Sequence, residues 1–308
     1  MTFIERIRTG VSIALLRYNP FWKFLEKYTA EPYLKKSMGV NAYKKIWEPL
    51  LKNKLGKYAV DVSLAWFWAR VYKRTPKLAY PKGGFLEFSK HLESIIKENN
   101  GSFIYGAQVE NISKDSNPSV TYTVEGESTK QTFDAVIVTV PMFAFVKIAP
   151  HLPKSYIKKY SVLKGIGAVN IVMRLKNRFF KDGSYWLSMC DTKSPILAVV
   201  EHTNFMDKKN YDNEHLVYIG NYMDIADPRF SMSSKELLRE YEPWLRKINP
   251  DFKQSLIGYQ LFKAPFAQPI NPIYYSQHIP PIETPLEKCV SWQYSTGFIM
   301  GQRHPLCS

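Results

Sequence analysis

Two arginines one helical turn apart are the first residues whose type and spacing suggest chemistry. Arg70 and Arg74 lie four positions apart, so a helix places both on one face. A guanidinium can hold a carboxylate through two parallel hydrogen bonds, so this face could bind the carboxylates of a substrate. Arginines with this spacing are more often solvated or paired with a nearby acid, and both interpretations stay open.

Common catalytic motifs do not occur in this sequence. It contains no HExxH, no P-loop and no GxSxG nucleophile elbow. Gly165-Ile166-Gly167 begins like a dinucleotide fingerprint, but Asn170 stands where the third glycine belongs. His202 is a lone histidine at a predicted strand end, where a structural role is more common than a catalytic one. Residue types and spacing alone therefore identify no catalytic group.

Composition and charge narrow the function classes. The 308 residues carry a net charge of +15, and most of the excess comes from residues 1–100. A basic surface suits nucleic acid, an anionic membrane or an acidic substrate, but no basic stretch has the context of a nucleic-acid-binding module. No nucleic-acid partner is therefore expected. A solvated basic face, or one that meets another part of the protein, is the simpler interpretation.

Cysteine usage and apolar runs indicate the compartment. Cys190, Cys289 and Cys307 form no close pair and no zinc-binding spacing, as is typical of a reducing compartment. No signal peptide is visible, and no apolar run approaches the roughly 20 residues of a membrane span. We predict a cytoplasmic location, and peripheral attachment to a membrane surface remains an open alternative.

The first half of the chain is predicted to change from helices to strands. Residues 1–75 are mainly helical by their apolar periodicity. An amphipathic helix is predicted from Phe85, followed by a strand over residues 103–112 and a hairpin that turns at Gly126. The continuous apolar run 135–140 predicts a strand that is buried on both faces.

The second half is predicted to be a sheet with covering helices. Residues 168–175, 196–201 and 216–222 have strand patterns, and residues 233–247 have a helical pattern that Ser233 or Ser234 could cap. These elements suit a mixed or antiparallel sheet.

An ordered series of motifs, from about residue 20 to 286, carries a family resemblance. Its main pieces are Trp47-Glu48-Pro49-Leu50-Leu51, Ala65-Trp66, Trp68-Ala69-Arg70, Tyr80-Pro81-Lys82-Gly83-Gly84, the run from Phe133 to Pro141, Glu201-His202-Thr203-Asn204-Phe205 and Ala267-Gln268-Pro269. The series resembles the FAD-dependent oxidoreductases of the amine oxidase, protoporphyrinogen oxidase and carotenoid desaturase superfamily.

The resemblance implies FAD as cofactor and places four residues near it. The main chain of Val109 would pair with the adenine edge, and the strand that ends at Pro141 would lead toward the flavin. Gly83 and Gly84 would let the main chain approach the cofactor closely. Without the resemblance, Val109 is an ordinary strand residue and the glycine pair is a simple turn.

The resemblance also assigns Arg70, Asn170, His202 and Asn204 to the substrate. Asn170 stands where amine oxidases usually place a lysine that faces the flavin. The expected activity is therefore removal of a hydride from a large apolar or polycyclic small molecule, as in desaturases and protoporphyrinogen oxidases. Hydride chemistry on a flavin often needs no acid or base from the protein.

The implied fold class is α/β with an α+β substrate lobe. Residues 1–75 would be the helical part of that lobe, 76–145 a partial FAD/NAD(P)-binding domain without the N-terminal Rossmann βαβ, and 146–288 the substrate-binding domain, with mixed or antiparallel sheet and helices. The family seats the FAD pyrophosphate on the segment that this chain would lack. A separate chain that supplies the FAD-binding segment is an open partner assignment.

Two alternative functions remain at this stage. One is an inactive fragment of such an enzyme, from a damaged or split gene. The other is a basic protein that binds membrane surfaces through its N-terminal helices.

Residues 289–308 predict a frameshift that can be checked in the gene. Suitable codons for this tail, read one base later, encode a V-Y-L-x-N-x-x-Q-V-x-x-W-D-R-G-T series like the flavin-contacting end of the family. Sequencing the gene should show the W-D-R-G-T series in the second frame. A second frame without it means that the tail is a divergent natural terminus.

Overall fold

The computed structural model describes residues 1–75, 77–191 and 193–291. The chain forms two compact units, each with its own secondary structure. Unit 1 comprises Met1–Gly83 and Gly165–Ile273, and unit 2 comprises Gly84–Lys164 and the chain from Tyr274 onward. The fold is mixed α/β.

The helices have the following bounds. They are α1 (Phe3–Tyr18), α2 (Ala30–Met38), α3 (Val40–Ala42), α4 (Glu48–Leu55), α5 (Leu64–Tyr72), α6 (Phe85–Glu98), α7 (Met142–Ile148), α8 (Lys154–Tyr160), α9 (Pro228–Ser231), α10 (Ser234–Ile248) and α11 (Phe252–Ser255). A π-helical turn, Tyr43–Trp47, joins α3 to α4.

The strands are distributed over both units. They are β1 (Gln108–Ile112), β2 (Ser119–Val124), β3 (Glu127–Thr132), β4 (Val136–Val138), β5 (Gly165–Leu175), β6 (Trp186–Ser188), β7 (Ala198–Glu201), β8 (His215–Met223), β9 (Leu256–Pro269) and β10 (Cys289–Ser291).

Unit 1 is built on a five-stranded antiparallel sheet with the order β6-β7-β8-β5-β9. β5 alternates between the two faces of the sheet, so Val169 and Ile171 point to one face and Asn170 to the other. The face with Val169 forms the core with α10, whose Leu237, Tyr241 and other apolar residues are buried.

The helix α10 confirms the predicted N-terminal cap. The Ser233 hydroxyl accepts from the Glu236 main-chain amide at 3.3 Å, and the Glu236 carboxylate accepts from the Ser233 amide at 2.8 Å. This reciprocal pair satisfies two donors that a helix start leaves without partners, which fixes where α10 begins.

The other face of the sheet carries α4. Asn53 of α4 donates to the Met189 carbonyl at 2.8 Å, and the Lys54 ammonium lies 5.0 Å from the centre of the Tyr222 ring on β8. Tyr222 pairs with Ala168, two residues from Asn170, so all three side chains lie on this face.

The amphipathic helix α1 turns its apolar side away from the protein. Phe3, Ile7, Val11 and Leu15 recur at helical spacing, and each is more than half exposed. Ser12 and other residues on the opposite side face the neighbouring helices. The predicted helix is therefore confirmed, but its apolar stripe contributes little to the described core.

Unit 2 combines an antiparallel sheet with a short parallel pair. The sheet has the order β1-β2-β3, and Glu125 and Gly126, both with positive φ, form its predicted hairpin turn. β4 and β10 pair in parallel, with Cys289 opposite Val136. The core lies between these strands and α7 and α8, around the fully buried Phe145.

Two predicted strands of unit 2 differ from the structure. β1 covers only Gln108–Ile112 of the range 103–112, because Tyr105 and Gly106 form a turn in which Gly106 has a φ of 67°. The run 135–140 is not buried on both faces: Ile137 is 68% exposed, since nothing in the described part of the chain covers that side of β4.

The boundaries of the two compact units differ from the domain boundaries that the sequence suggested. Residues 146–164 and the segment from Tyr274 group with unit 2, because α7 and α8 form the core around β4 and β10 pairs with β4. Residues 76–83 group with unit 1. Residues 292–308, most of the predicted frameshifted tail, lie outside the described residues.

Candidate functional site

A large apolar cavity lies in unit 1. Its volume is about 1060 Å³. Its walls come from α1, α4 and α5, from the segment after α5 and from the chain around β6; the lining residues are Ile13, Arg17, Trp47, Leu50, Leu51, Lys54, Trp66, Phe67, Arg70, Val71, Arg74, Thr75, Leu78, Tyr185, Trp186 and Ser188. A cavity of this size suits a polycyclic or long apolar molecule.

Local structure fixes the helix that forms one wall of the cavity. The Ser63 hydroxyl caps α5 by accepting from the Trp66 amide at 3.3 Å, and the Ser63 amide donates to the Asn271 carbonyl at 2.9 Å. At the other end of α5, the Arg17 guanidinium donates to the Val71 and Tyr72 carbonyls. Both ends of the helix are therefore held in place.

Arg70 contributes a positive charge to the cavity wall. Its guanidinium lies 4.1 Å from the centre of the Trp66 ring and donates to the Gln268 amide oxygen at 3.4 Å. Stacking on an indole is a favourable position for a guanidinium. The Trp66 indole N–H is buried and donates to no group in the described residues.

Lys54 is the second charged residue that matters here, and the sequence analysis did not single it out. Burial, and to a lesser extent the positive charge of the nearby Arg70, lowers the pKa of its ammonium to about 8. Lys54 follows Leu50 by four residues and Leu51 by three, so it continues the apolar side of α4. This helical spacing is the sequence signal that could have identified Lys54 as a residue facing the apolar side.

The lining residues that the structure describes include four cations and no carboxylate. Arg17, Lys54, Arg70 and Arg74 are the cations. The remaining lining residues are mostly aromatic or aliphatic. The cavity thus combines mainly apolar walls with several basic side chains.

Asn170 lies on the sheet face that carries this cavity but is not one of its lining residues. It is aligned across the strands with Gly220, Ala198 and Ser188, and Ser188 does line the cavity. The Asn170 side-chain oxygen is buried and accepts no hydrogen bond from the described residues. The Asn170 oxygen is therefore a buried acceptor on the sheet face that carries the cavity, where the substrate is predicted to bind.

His202 and Asn204 lie apart from the cavity lining and bond to protein groups. The His202 Nε2 and the Tyr211 hydroxyl are 2.7 Å apart, and burial lowers the pKa of the His202 imidazole. The Asn204 amide donates to the Ser184 carbonyl and to the Glu201 carboxylate, each at 2.8 Å.

Glu201 explains why these two residues cluster. Its carboxylate is fully buried and accepts from the Phe179 and Phe180 amides at 3.0 and 2.7 Å. Together with Asn204 it fixes the turn after β5, which is a structural task. The substrate role of His202 and Asn204 stays a prediction.

The residues predicted to meet FAD lie in or beside unit 2. Val109 is partly exposed on β1, the edge strand of its sheet, so one side of that strand has main-chain groups that a nucleotide edge can pair with. Pro141 ends the segment after β4 and is the N-cap of α7.

Gly83 and Gly84 mark the boundary between the units. Their φ angles are 79° and 93°, in the region that favours glycine, and Gly84 is the N-cap of α6 without a side-chain cap. The turn needs glycine for its own geometry. The assignment of Val109, Gly83, Gly84 and Pro141 to FAD stays a prediction.

The family model for the flavin containing amine oxidoreductase domain matches residues 17–262. The chain belongs to this family. Its members bind FAD, and the chain is thus an FAD-dependent oxidoreductase by family. No curated protein matches the sequence.

Solved structures agree with the family. The chain is similar to an oxidoreductase from Methanosarcina mazei, with a TM-score of 0.69, 18% identity and coverage of 94% of this chain and 67% of that one. It is also similar to a protoporphyrinogen oxidase-like protein from Exiguobacterium sp. 255-15 (TM-score 0.64, 13% identity, 97% and 69% coverage). A third similar structure is cyclohexylamine oxidase from Brevibacterium oxydans IH-35A, with a TM-score of 0.62, 14% identity and coverage of 96% of this chain and 68% of that one. At these identities the likeness shows the fold, and the chain spans about two thirds of each structure.

The charge of Lys54 should cost the protein stability. Because its pKa is lower in the folded than in the unfolded chain, the cost is fully present below pH 8 and fades as pH rises toward the ordinary value of 10.5. Lys54→Met should therefore raise the free energy of unfolding at pH 7 by about 1 kcal/mol and Tm by roughly 2–4 °C.

The pH dependence of thermal unfolding checks this expectation. The gain from Lys54→Met should shrink between pH 8 and 10. The control is Lys52→Met on the same helix, since Lys52 is exposed and paired with Glu48 at 2.8 Å. Equal effects of the two substitutions at every pH would show that Lys54 is not desolvated.

Proposed function

We propose that this FAD-dependent oxidoreductase removes a hydride from an apolar or polycyclic substrate bound in the unit 1 cavity. The reaction class would be that of the desaturases and protoporphyrinogen oxidases. The observation that carries the proposal is the cavity itself, whose walls are mainly aromatic and aliphatic. Asn170, at the position where amine oxidases usually have a lysine, supports an apolar substrate over an amine.

The chain's own residues would bind, orient and desolvate the substrate. Trp66, Phe67 and Trp186 would bury its apolar surface, and Arg70 would fix its orientation. The flavin, when bound, supplies the hydride acceptor, so no acid or base from the cavity is required. Val109, Gly83, Gly84 and Pro141 would hold the cofactor through main-chain contacts.

The surface of unit 2 supports a further segment in the complete FAD site. α6 has no buried residue, and its apolar side, with Phe85, Leu92 and Ile96, is exposed. Parallel strands normally occur in larger sheets that are covered on both faces, whereas β4 pairs only with β10 among the described residues. A strand-and-helix segment, in the same or a separate chain, would extend this sheet and cover α6.

Flavin binding tests the proposed function. The purified chain, incubated with FAD and passed through gel filtration, should keep the yellow flavin absorbance. Val109→Pro should weaken FAD binding about tenfold or more by removing one main-chain hydrogen bond to the adenine, because an edge strand tolerates proline. Val109→Ala keeps the main-chain donor and is the control.

A chain that stays colourless with added FAD would contradict the proposal and support an inactive fragment. Equal FAD affinity of the Val109→Pro and Val109→Ala chains would remove Val109 from the site. Circular dichroism of both variants separates loss of FAD binding from loss of folding.

We also propose peripheral membrane association, which the exposed side of α1 favours. Apolar residues form its outward stripe, and α1 belongs to the first hundred residues of the chain, which carry most of the excess positive charge. An amphipathic helix with this arrangement binds anionic lipid surfaces. No helix in the described residues is long and apolar enough to cross a membrane.

Vesicle sedimentation tests this second function. The chain should sediment with vesicles of phosphatidylcholine and phosphatidylserine at moderate salt, and Val11→Glu should reduce the bound fraction about tenfold by placing a charge on the apolar stripe. Ser128→Glu adds the same charge on the exposed strand β3 and should have no such effect. If the unsubstituted chain stays in the supernatant, the membrane proposal is wrong, and the apolar stripe of α1 is instead expected to contact protein.

A further inference from the structure

We propose that Lys54 is a nucleophile in the unit 1 cavity and forms an imine with apolar aldehydes that bind there. The ligand class is a large apolar molecule with an aldehyde group. The proposal rests on the proposed function only in that the cavity binds apolar molecules. Imine formation itself needs no flavin and goes beyond that function.

The position of Lys54 brings its amine to a ligand in the cavity. The side chain is half-buried and lines the cavity together with Leu50 and Leu51 of the same helix. Its nitrogen lies 5.0 Å from the centre of the Tyr222 ring. An apolar molecule in this cavity therefore lies beside a primary amine.

Two features of this position favour the neutral amine, which is the form that attacks a carbonyl carbon. Burial removes water from around the ammonium, and the positive charge of Arg70 opposes a second positive charge nearby. Together they lower the pKa of Lys54 to about 8, so about one tenth of these side chains is neutral at pH 7. Lysines that form Schiff bases commonly lie in an apolar pocket or beside another cation.

Lys52, on the same helix, lacks both features and is the natural comparison. Its side chain is exposed, and its ion pair with Glu48 at 2.8 Å raises its pKa above the ordinary value of 10.5. At pH 7 the neutral fraction of Lys54 therefore exceeds that of Lys52 by a factor of about 300 or more.

The reaction balances without an oxidant or a reductant. The lone pair of the Lys54 nitrogen attacks the carbonyl carbon, the carbonyl oxygen takes up a proton and the nitrogen loses one. Loss of water from this carbinolamine then forms the C=N bond. One neutral amine and one aldehyde thus give one imine and one water. Because Lys54 is only half-buried, that water can leave to solvent.

Reductive trapping of the imine tests the proposal. The full chain, without added FAD, is incubated at pH 7 with 1-pyrenecarboxaldehyde and sodium cyanoborohydride, which reduces an imine to a stable amine. Mass spectrometry of the peptides gives the labelling rates of Lys54 and Lys52 in one sample. Lys54 should react about 10- to 100-fold faster. This is less than the ratio of neutral fractions because a less basic amine, like a less basic thiolate, is the weaker nucleophile.

The pH dependence of the rate ratio is the readout that a merely accessible lysine would not give. The ratio of Lys54 to Lys52 labelling should stay constant below pH 8, since both amines are then mostly protonated. Between pH 8 and 10 it should fall by up to about tenfold per pH unit, because only Lys52 still gains neutral amine. The ratio also cancels the pH dependence of the reagents.

Two arginine substitutions and one competitor provide the controls. Lys54→Arg keeps a positive charge but has no primary amine, so the label should be lost from position 54. Lys52→Arg should leave the labelling of Lys54 unchanged. An excess of 1-pyrenemethanol, which has the same rings and no carbonyl, should slow the labelling of Lys54 and not that of Lys52. Circular dichroism confirms that each variant is folded.

The outcomes separate this proposal from the proposed function. Fast labelling of Lys54 that 1-pyrenemethanol slows, with a rate ratio that falls above pH 8, supports the proposal. Equal labelling of Lys54 and Lys52 by a chain that binds 1-pyrenemethanol would overturn the proposal and leave the apolar cavity in place. A chain that does not bind 1-pyrenemethanol would contradict the apolar-substrate function as well.

Discussion

The buried ammonium group of Lys54 is the main electrostatic constraint on the cavity of unit 1. Water would normally hydrate a lysine at the end of its flexible stem. Here α4 lies against the sheet and carries Lys54 over the Tyr222 ring, with Arg70 of α5 as its charged neighbour. This arrangement lowers the stability of the folded chain below pH 8.

The two faces of the five-stranded sheet of unit 1 differ in their side chains. One face forms a fully apolar core with α10, while the other face carries Asn170 and the helices that line the cavity. At the end of β7, Glu201 accepts hydrogen bonds from buried main-chain amides and from the Asn204 side chain. The polar groups near this end of the sheet thus stabilise the fold. The positively charged side chains of this face line the cavity instead.

The sequence predicted local features well because their causes are local. The capping residues Ser233 and Glu236 define the start of α10, and Gly126 defines the hairpin turn. Burial was harder to predict. Periodicity identifies the apolar side of α6 and the apolar run of β4, but it does not tell whether another segment covers them, and Phe85 and Ile137 are exposed.

The candidate site was predicted only in part for a similar reason. Arg70 was found from its type and spacing, and it does line the cavity. His202 and Asn204 belong to a matching motif, yet their partners, Tyr211 and Glu201, become neighbours only after folding. The pKa of Lys54 likewise depends on tertiary packing, which no helical pattern contains.

The pKa of Lys54 is the most direct measurement of this account. Nuclear magnetic resonance of lysine-labelled chain, with the Lys54 signal assigned by its loss in Lys54→Arg, would follow the titration of the ammonium. The account predicts a midpoint near pH 8. A midpoint at the ordinary value of 10.5 in the free chain would contradict it.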